Sequence, residues 1–386
     1  MKKEVNFREM LKKRQEKTKS LVCVGLDPLP EKLPDCMKTE SPYSAHLATD
    51  IAMWMMRIVD ATAPYTSMYK PQRAHWEAIP GGVIALQMVI SYIELMYPDI
   101  VVFTDCKRGD IGRTQERYKV AQFDIDGTQG MNFSPYMGKD CMQFLVDQEN
   151  IARALVSLCY TSNESARLTQ DQIMADGHPY WEFIATTTLK WAEELGIAEN
   201  AGLVMAAAYE FPKKSGQVYS RHLSRCRELV GDKLWFLIPG VGTQGGFIKE
   251  TVKSAFAGYG SIAINSSSDI IFASAGEDFA EAAGEKAKQL YLAIADALEI
   301  DRAGLVPQSL IVSGDPLATL KNCGGYYESP KDKDGKFLGP VVAYAGTYDT
   351  SSGPKNKVGF VYYDFAFVED KPIPRDYFAA LIAAEV

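Results

Sequence analysis

Short apolar runs rich in β-branched residues recur through the first 275 residues of the chain, separated by longer amphipathic or polar stretches. This alternation constrains the fold more than any other feature. The runs predict strands at Leu21–Leu26, Thr66–Tyr69, Ile100–Thr104, Gly130–Phe133, Ala154–Leu158, Leu203–Ala207, Leu234–Ile238 and Ser261–Ile264. Between them the spacing predicts helices over His46–Ala63, Gly82–Met96, Tyr118–Phe123, Met142–Ile151, Tyr180–Leu195, Tyr219–Leu229, Phe247–Phe256 and Glu277–Leu298. Continuous apolar strands need both faces covered, which parallel sheets wrapped in helices provide. Two α/β architectures satisfy this, a (β/α)8 TIM barrel and a doubly wound open sheet. The barrel is preferred because the strands number eight and the polar motifs all follow strands.

In such barrels the chemistry gathers at the C-terminal strand ends. Asp27 follows the first strand, Lys70 the second, and Asp105, Lys107 and Asp110 the third. The fifth leads into "YTSNES", the seventh into "PGVGTQGG" and the eighth into "NSSSD". The glycine-rich segment, which includes Gly242, offers backbone N–H groups that can approach a phosphate. An ordinary strand-to-helix turn would look the same.

Length and charge bound the rest. At 386 residues the chain is too long for one minimal domain, and a barrel over 1–300 leaves 301–386 as an appendage. That tail is rich in Gly, Pro, Tyr and Phe, with "KDKDGK" and "TSSGPKNK" as expected hairpin turns and a helical pattern only near Tyr377–Ala384. It reads as a small β-rich extension. A net charge of −8 argues against a nucleic-acid partner. The seven scattered cysteines suggest reduced thiols rather than zinc, and no apolar run is long enough to cross a bilayer, so a cytoplasmic protein with a small-molecule substrate is expected.

The stretch "VVFTDCKRGDIGRT", Val101 to Thr114, is the sharpest signal. Asp105 and Lys107 are two apart and point the same way while strand geometry persists. Asp110 lies past Gly109, which can take a left-handed turn conformation that other residues would resist. Lys70, ending the neighbouring strand, would stand beside Asp105. Alternating ammonium and carboxylate groups can all stay charged in partial burial, since each ion has an opposite neighbour. A merely structural ion-pair network at a barrel mouth is the plainer alternative.

The segment "DCKRGDIGRT" resembles the D-x-K-x-x-D-I-x-x-T signature of the orotidine 5'-phosphate decarboxylases, in their longer-chain bacterial subgroup. "LVCVGLDP", "YKPQRAHWE", "TSN" and "IPGVGTQGG" follow the family's landmarks in order, so that the resemblance spans about residues 15 to 275. It implies a barrel that converts orotidine 5'-phosphate (OMP) to UMP without metal or organic cofactor. By the same resemblance Asp27 and Lys70 contact the ribose hydroxyls. Asp105 faces the substrate carboxylate, and Lys107 protonates C6. Asp110 and Thr114 reach into a partner's site, implying a homodimer with shared sites. Ser162 meets the pyrimidine edge and Gln244 closes over the nucleotide.

The sequence departs from the family pattern in the last loop. There the family shows Asn-Ser-Ser-Arg, with the arginine on the phosphate, whereas this chain has Ser267, Ser268 and Asp269 after Ser266. A charge-assisted phosphate contact is worth roughly 1.5–3 kcal/mol. Two further readings therefore stand beside the decarboxylase: a magnesium-dependent barrel lyase on another sugar phosphate, and a catalytically impaired nucleotide-binding or assembly protein.

Overall fold

The computed structural model describes residues 6–38, 44–146, 151–211, 215–241 and 247–300, together with the backbone of strands at 342–348, 355–361, 367–368 and 371–372. Eight parallel strands close into a barrel in chain order. They are β1 (Val22–Leu26), β2 (Met68–Pro71), β3 (Val101–Arg108), β4 (Gly130–Phe133), β5 (Ala154–Tyr160), β6 (Ala201–Met205), β7 (Trp235–Pro239) and β8 (Ile262–Ser266). The principal helices are α1 (Phe7–Thr18), α2 (Ser44–Thr62), α3 (Gly82–Met96), α4 (Gly112–Lys119), α5 (Tyr180–Glu194), α6 (Arg221–Val230), α7 (Ile248–Ala255) and α8 (Phe279–Ala297). The TIM-barrel expectation holds and the open sheet does not.

Strand periodicity splits the core in two. Val22, Val24 and Leu26 join the outer cluster beneath the helices, as do Tyr69, Val102, Leu155, Leu203, Phe236, Ile238, Ile262 and Ile264. Their neighbours Cys23, Met68, Val101, Phe103, Ala154, Val156, Val204, Trp235, Leu237 and Ala263 fill the barrel interior. Two residues further along, the same inward face carries Lys70 on β2, Asp105 on β3 and Asn265 on β8. The interior is therefore apolar in its lower layers and polar at the C-terminal rim.

Helix α1 was not anticipated. Its mean composition is polar, yet Phe7, Leu11, Arg14 and Gln15 are buried on one stripe. Asn6 caps it, accepting from the Glu9 N–H at 3.2 Å, the pattern of a helix start. Phe7 and Leu11 belong to the interior cluster, and the Phe7 ring stacks on Trp235 at 5.2 Å and meets Phe103 edge-on at 6.2 Å. The buried Arg14 guanidinium donates to Thr66 O at 3.1 Å and to Ala63 O, and pairs with Asp99 at 2.9 Å. Gln15 donates to Ile262 O and accepts from Gly260 N. The helix thus plugs the end of the barrel opposite the charged rim, with its buried polar groups satisfied.

Other boundaries differ locally. The expected helix Tyr118–Phe123 is α4, beginning at Gly112 and running into a wider turn at Val120–Ile125. The expected Met142–Ile151 helix is the single turn Asp140–Gln143, and residues 147–150 lie outside the described ones. In the tail, strand 342–348 pairs antiparallel with 355–361, from Val342↔Val361 to Tyr348↔Lys355, flanking most of the "TSSGPKNK" segment. "KDKDGK" and Tyr377–Ala384 lie outside the described residues. The described cysteines are free thiols, and no helix among the described residues is long and apolar enough to cross a membrane.

Truncating Phe7 to alanine removes a fully buried ring from the barrel floor. The Phe7→Ala protein should lose about 3–5 kcal/mol of stability, read as a lower urea midpoint at an unchanged slope. A midpoint equal to that of the wild type would mean that α1 does not close the barrel.

Candidate active site

The polar end of the barrel interior opens into a cavity of about 540 Å³, the size of a small-molecule site. Lys70, Asp105, Lys107 and Asn132 line one wall. Leu158, Ile184, Val204 and Leu237 supply an apolar wall, and Thr161, Ser162, Asn163 and Gln170 form a polar edge.

Asp105 is the centre of the charged wall. Lys107 Nζ lies 2.6 Å from its Oδ1 and Lys70 Nζ 3.2 Å from its Oδ2. Burial favours the neutral acid, but the two ammonium groups, with hydrogen bonds from Lys107 and Asn132, overcome it and hold the carboxyl well below its usual range. Burial opposes the charge of Lys70 likewise. Asp27 and Asp105 outweigh it, so the ammonium stays charged well above the usual lysine range. Asp27 Oδ1 stands 4.0 Å from Lys70 Nζ and accepts from Gln72 N at 3.0 Å. Asp105 and Lys70 therefore keep their charges throughout the physiological pH range.

Local structure explains how β3 presents these groups. Between Thr104↔Met131 and Arg108↔Phe133 the strand advances four residues while β4 advances two, a bulge that bows Asp105–Lys107 out of the ladder. Lys107 sits there at φ 47°, left-handed backbone that a residue with a Cβ adopts at a cost of about 1–2 kcal/mol. Gly109 does not use the left-handed conformation open to it, since its φ is not positive. Glycine is needed there for close approach: a Cβ would come within 2.9 Å of Ser134 Cβ. Asn132, a polar residue inside the strand run "GMNF", donates to Asp105 Oδ1 at 2.7 Å. Its own Oδ1 accepts from the N–H groups of Cys106 and Lys107 at 2.8 and 2.7 Å. Behind the wall Glu77 accepts from both Arg73 and Arg108, tying the segment after Lys70 to the end of β3.

The other anticipated residues fall in three groups. Ser162 lines the cavity, on a loop held where Gln170 donates to Thr161 Oγ1 at 2.8 Å and accepts from Thr161 N at 2.9 Å. Asp110 and Thr114 lie outside the lining of this chain's own cavity, and Thr114 is exposed on α4. Ser267 and Ser268 open the short helix Ser268–Ile271 after β8. Ser267 abuts β1, where a Cβ on Gly25 would lie 1.8 Å from its Oγ. Gly242 and Gln244 lie outside the described residues. Before them Gly240 turns at φ 100°, a conformation open to glycine. Sequence reasoning missed Asn132 and Gln170. A polar side chain interrupting a four-residue buried strand was the available signal for Asn132.

A profile of the orotidine 5'-phosphate decarboxylase / HUMPS family matches residues 20–283. A curated orotidine 5'-phosphate decarboxylase from Cellvibrio japonicus is 36% identical over 281 residues, 72% of this chain and 94% of that one. The enzyme of the same name from Bordetella avium is 35% identical over 291 residues, 75% of this chain and 98% of its own. Among solved structures, the Leishmania donovani OMP decarboxylase superimposes with a TM-score of 0.58 at 27% identity, over 75% of this chain and 99% of that one. The chain belongs to the orotidine 5'-phosphate decarboxylase / HUMPS family.

Proposed function

We propose that this protein decarboxylates orotidine 5'-phosphate to UMP, a step of pyrimidine biosynthesis, in the cavity at the C-terminal end of the barrel. The observation that carries the reading is Asp105 held ionised between Lys70 and Lys107. The names of the relatives support it.

The chemistry follows from the charges. When the bond from C6 to the carboxyl carbon breaks, its electron pair stays on C6 and carbon dioxide leaves. Lys107 Nζ beside that carbon stabilises the growing charge and then transfers a proton to it, becoming a neutral amine that solvent reprotonates. Asp105 repels the substrate carboxylate, and that repulsion disappears as carbon dioxide departs. Lys70, backed by Asp27, keeps Asp105 ionised and presents a donor toward the ribose. Ser162, which lines the cavity, reads the pyrimidine edge. No cofactor is needed to accept electrons that end in a C–H bond.

The magnesium-dependent lyase is disfavoured by the same geometry, because a divalent cation at Asp105 would have to displace two ammonium groups. The impaired-protein reading rests on Ser268 alone, while the charged wall is intact.

We propose further that the working form is a homodimer with shared sites. Asp110 and Thr114 are not among the residues lining their own cavity, and Ile111, Tyr136 and Met137 expose apolar surface on the neighbouring loops, the kind of surface that a subunit interface covers.

Following orotate absorbance with OMP, Lys107→Ala should lose about 10²–10⁴-fold or more in kcat, while chelator leaves the wild type unchanged. Undiminished turnover by the variant would remove Lys107 from the chemistry. Ser268→Arg should lower KM for OMP by about ten- to a hundredfold, the worth of a charge-assisted contact; an unchanged KM would show that position 268 is not the phosphate grip. Co-refolding inactive Lys107→Ala with inactive Asp110→Asn should restore turnover, since mixed dimers regain one complete site. Silence of the mixture, with dimers present by sedimentation, would refute shared sites.

A further inference from the structure

We infer that Asn132 is a positioning residue for the decarboxylation, setting both the Lys107 backbone and the Asp105 carboxylate through a single buried amide. The inference rests on the assignment of Lys107 and Asp105 as the reacting pair.

The bulge in β3 leaves Asp105–Lys107 without backbone partners on β4. Asn132, 1% exposed, fills that gap. Its Oδ1 accepts from two consecutive N–H groups, Cys106 and Lys107, and its Nδ2 donates to Asp105 Oδ1. The amide orientation is forced. A flipped side chain would set its NH2 against two donors and its oxygen against a carboxylate. Asp105 Oδ1 is also the oxygen that Lys107 Nζ meets at 2.6 Å. One side chain therefore fixes the lysine at its root and the acceptor at its tip.

This restraint matters because little else holds Lys107. Its side chain is 46% exposed, and its left-handed φ is a conformation that persists where surroundings impose it. Released from Asn132, the segment can relax toward ordinary backbone, which swings the ammonium away from its partner. A misplacement near 1 Å can cost on the order of a hundredfold in rate.

The test uses full-length protein with Asn132→Ala and Asn132→Asp, beside wild type and Lys107→Ala. Asn132→Ala should lower kcat about a hundredfold while the Kd for UMP, which reports binding without chemistry, moves less than about threefold. Asn132→Asp keeps the acceptor for both N–H groups but sets a second carboxylate against Asp105. The two then share a proton, and the acidic limb of the kcat/KM profile should move up by about one pH unit or more. Should Asn132→Ala fail to fold, the isosteric Asp variant decides by its pH limb. Folded variants with wild-type kcat and an unmoved acidic limb, alongside an inactive Lys107→Ala, would overturn the role of Asn132. Turnover surviving in Lys107→Ala would overturn the catalytic assignment beneath it.

Discussion

The site depends on one carboxylate shared by two ammonium groups. Asp105 is 14% exposed and Lys70 4% exposed in their side chains, so neither could stay ionised there alone. Desolvation would drive the acid toward its protonated form and the lysine toward the free amine. Each cancels the other's penalty, and Lys107 and Asp27 extend the alternation at both ends. Removing Lys70 would take away one of the two charges that offset the burial of Asp105, because the pair is coupled by the low dielectric of the barrel mouth. The apolar layers below, sealed by Phe7 and Leu11 from α1, keep water from screening the cluster from beneath.

Much of this was legible in the chain. The strands announced themselves because both faces of a parallel barrel strand are buried, leaving continuous apolar runs, and Lys70, Asp105 and Lys107 stood out as charges ending them. Strand periodicity then sufficed to bring Lys70 and Asp105 together. Asn132 was marked in the chain only as a polar residue inside a buried strand. Its role was not legible, because that role lies in a bulge on the adjacent strand, and a bulge is a property of pairing rather than of local composition. Helix α1 was hidden for a related reason. Two of its four buried residues, Arg14 and Gln15, are polar and are tolerated through partners contributed by distant segments.

The left-handed turn is instructive in the same way. A left-handed conformation in "DCKRGD" is expected at the glycine, where it costs least. The fold instead places it on Lys107 and uses Gly109 to let the chain pass against Ser134. The strained residue is the one proposed to carry the proton, and its backbone N–H is held by Asn132 on the neighbouring strand. Strain at a reacting group is sustained where surrounding structure over-determines it. Here the surrounding structure is one buried amide and a ladder that resumes at Arg108↔Phe133.

The two ends of the proposed substrate make different demands on the protein. At the base, the charges proposed to act during bond cleavage are present and mutually held. At the phosphate, a serine stands where the family carries arginine, and Asp269 follows it. A phosphate contact made equally in ground and transition states governs occupancy of the site, whereas one used to order loops over the base also contributes to the rate. On the proposed reading, a weakened grip at Ser268 would leave the bond-breaking machinery untouched and act through whichever of these roles the contact had. Because the reacting wall is held by bonds within β2, β3 and β4, and not by the loop after β8, the chemistry can outlast a change at the phosphate end.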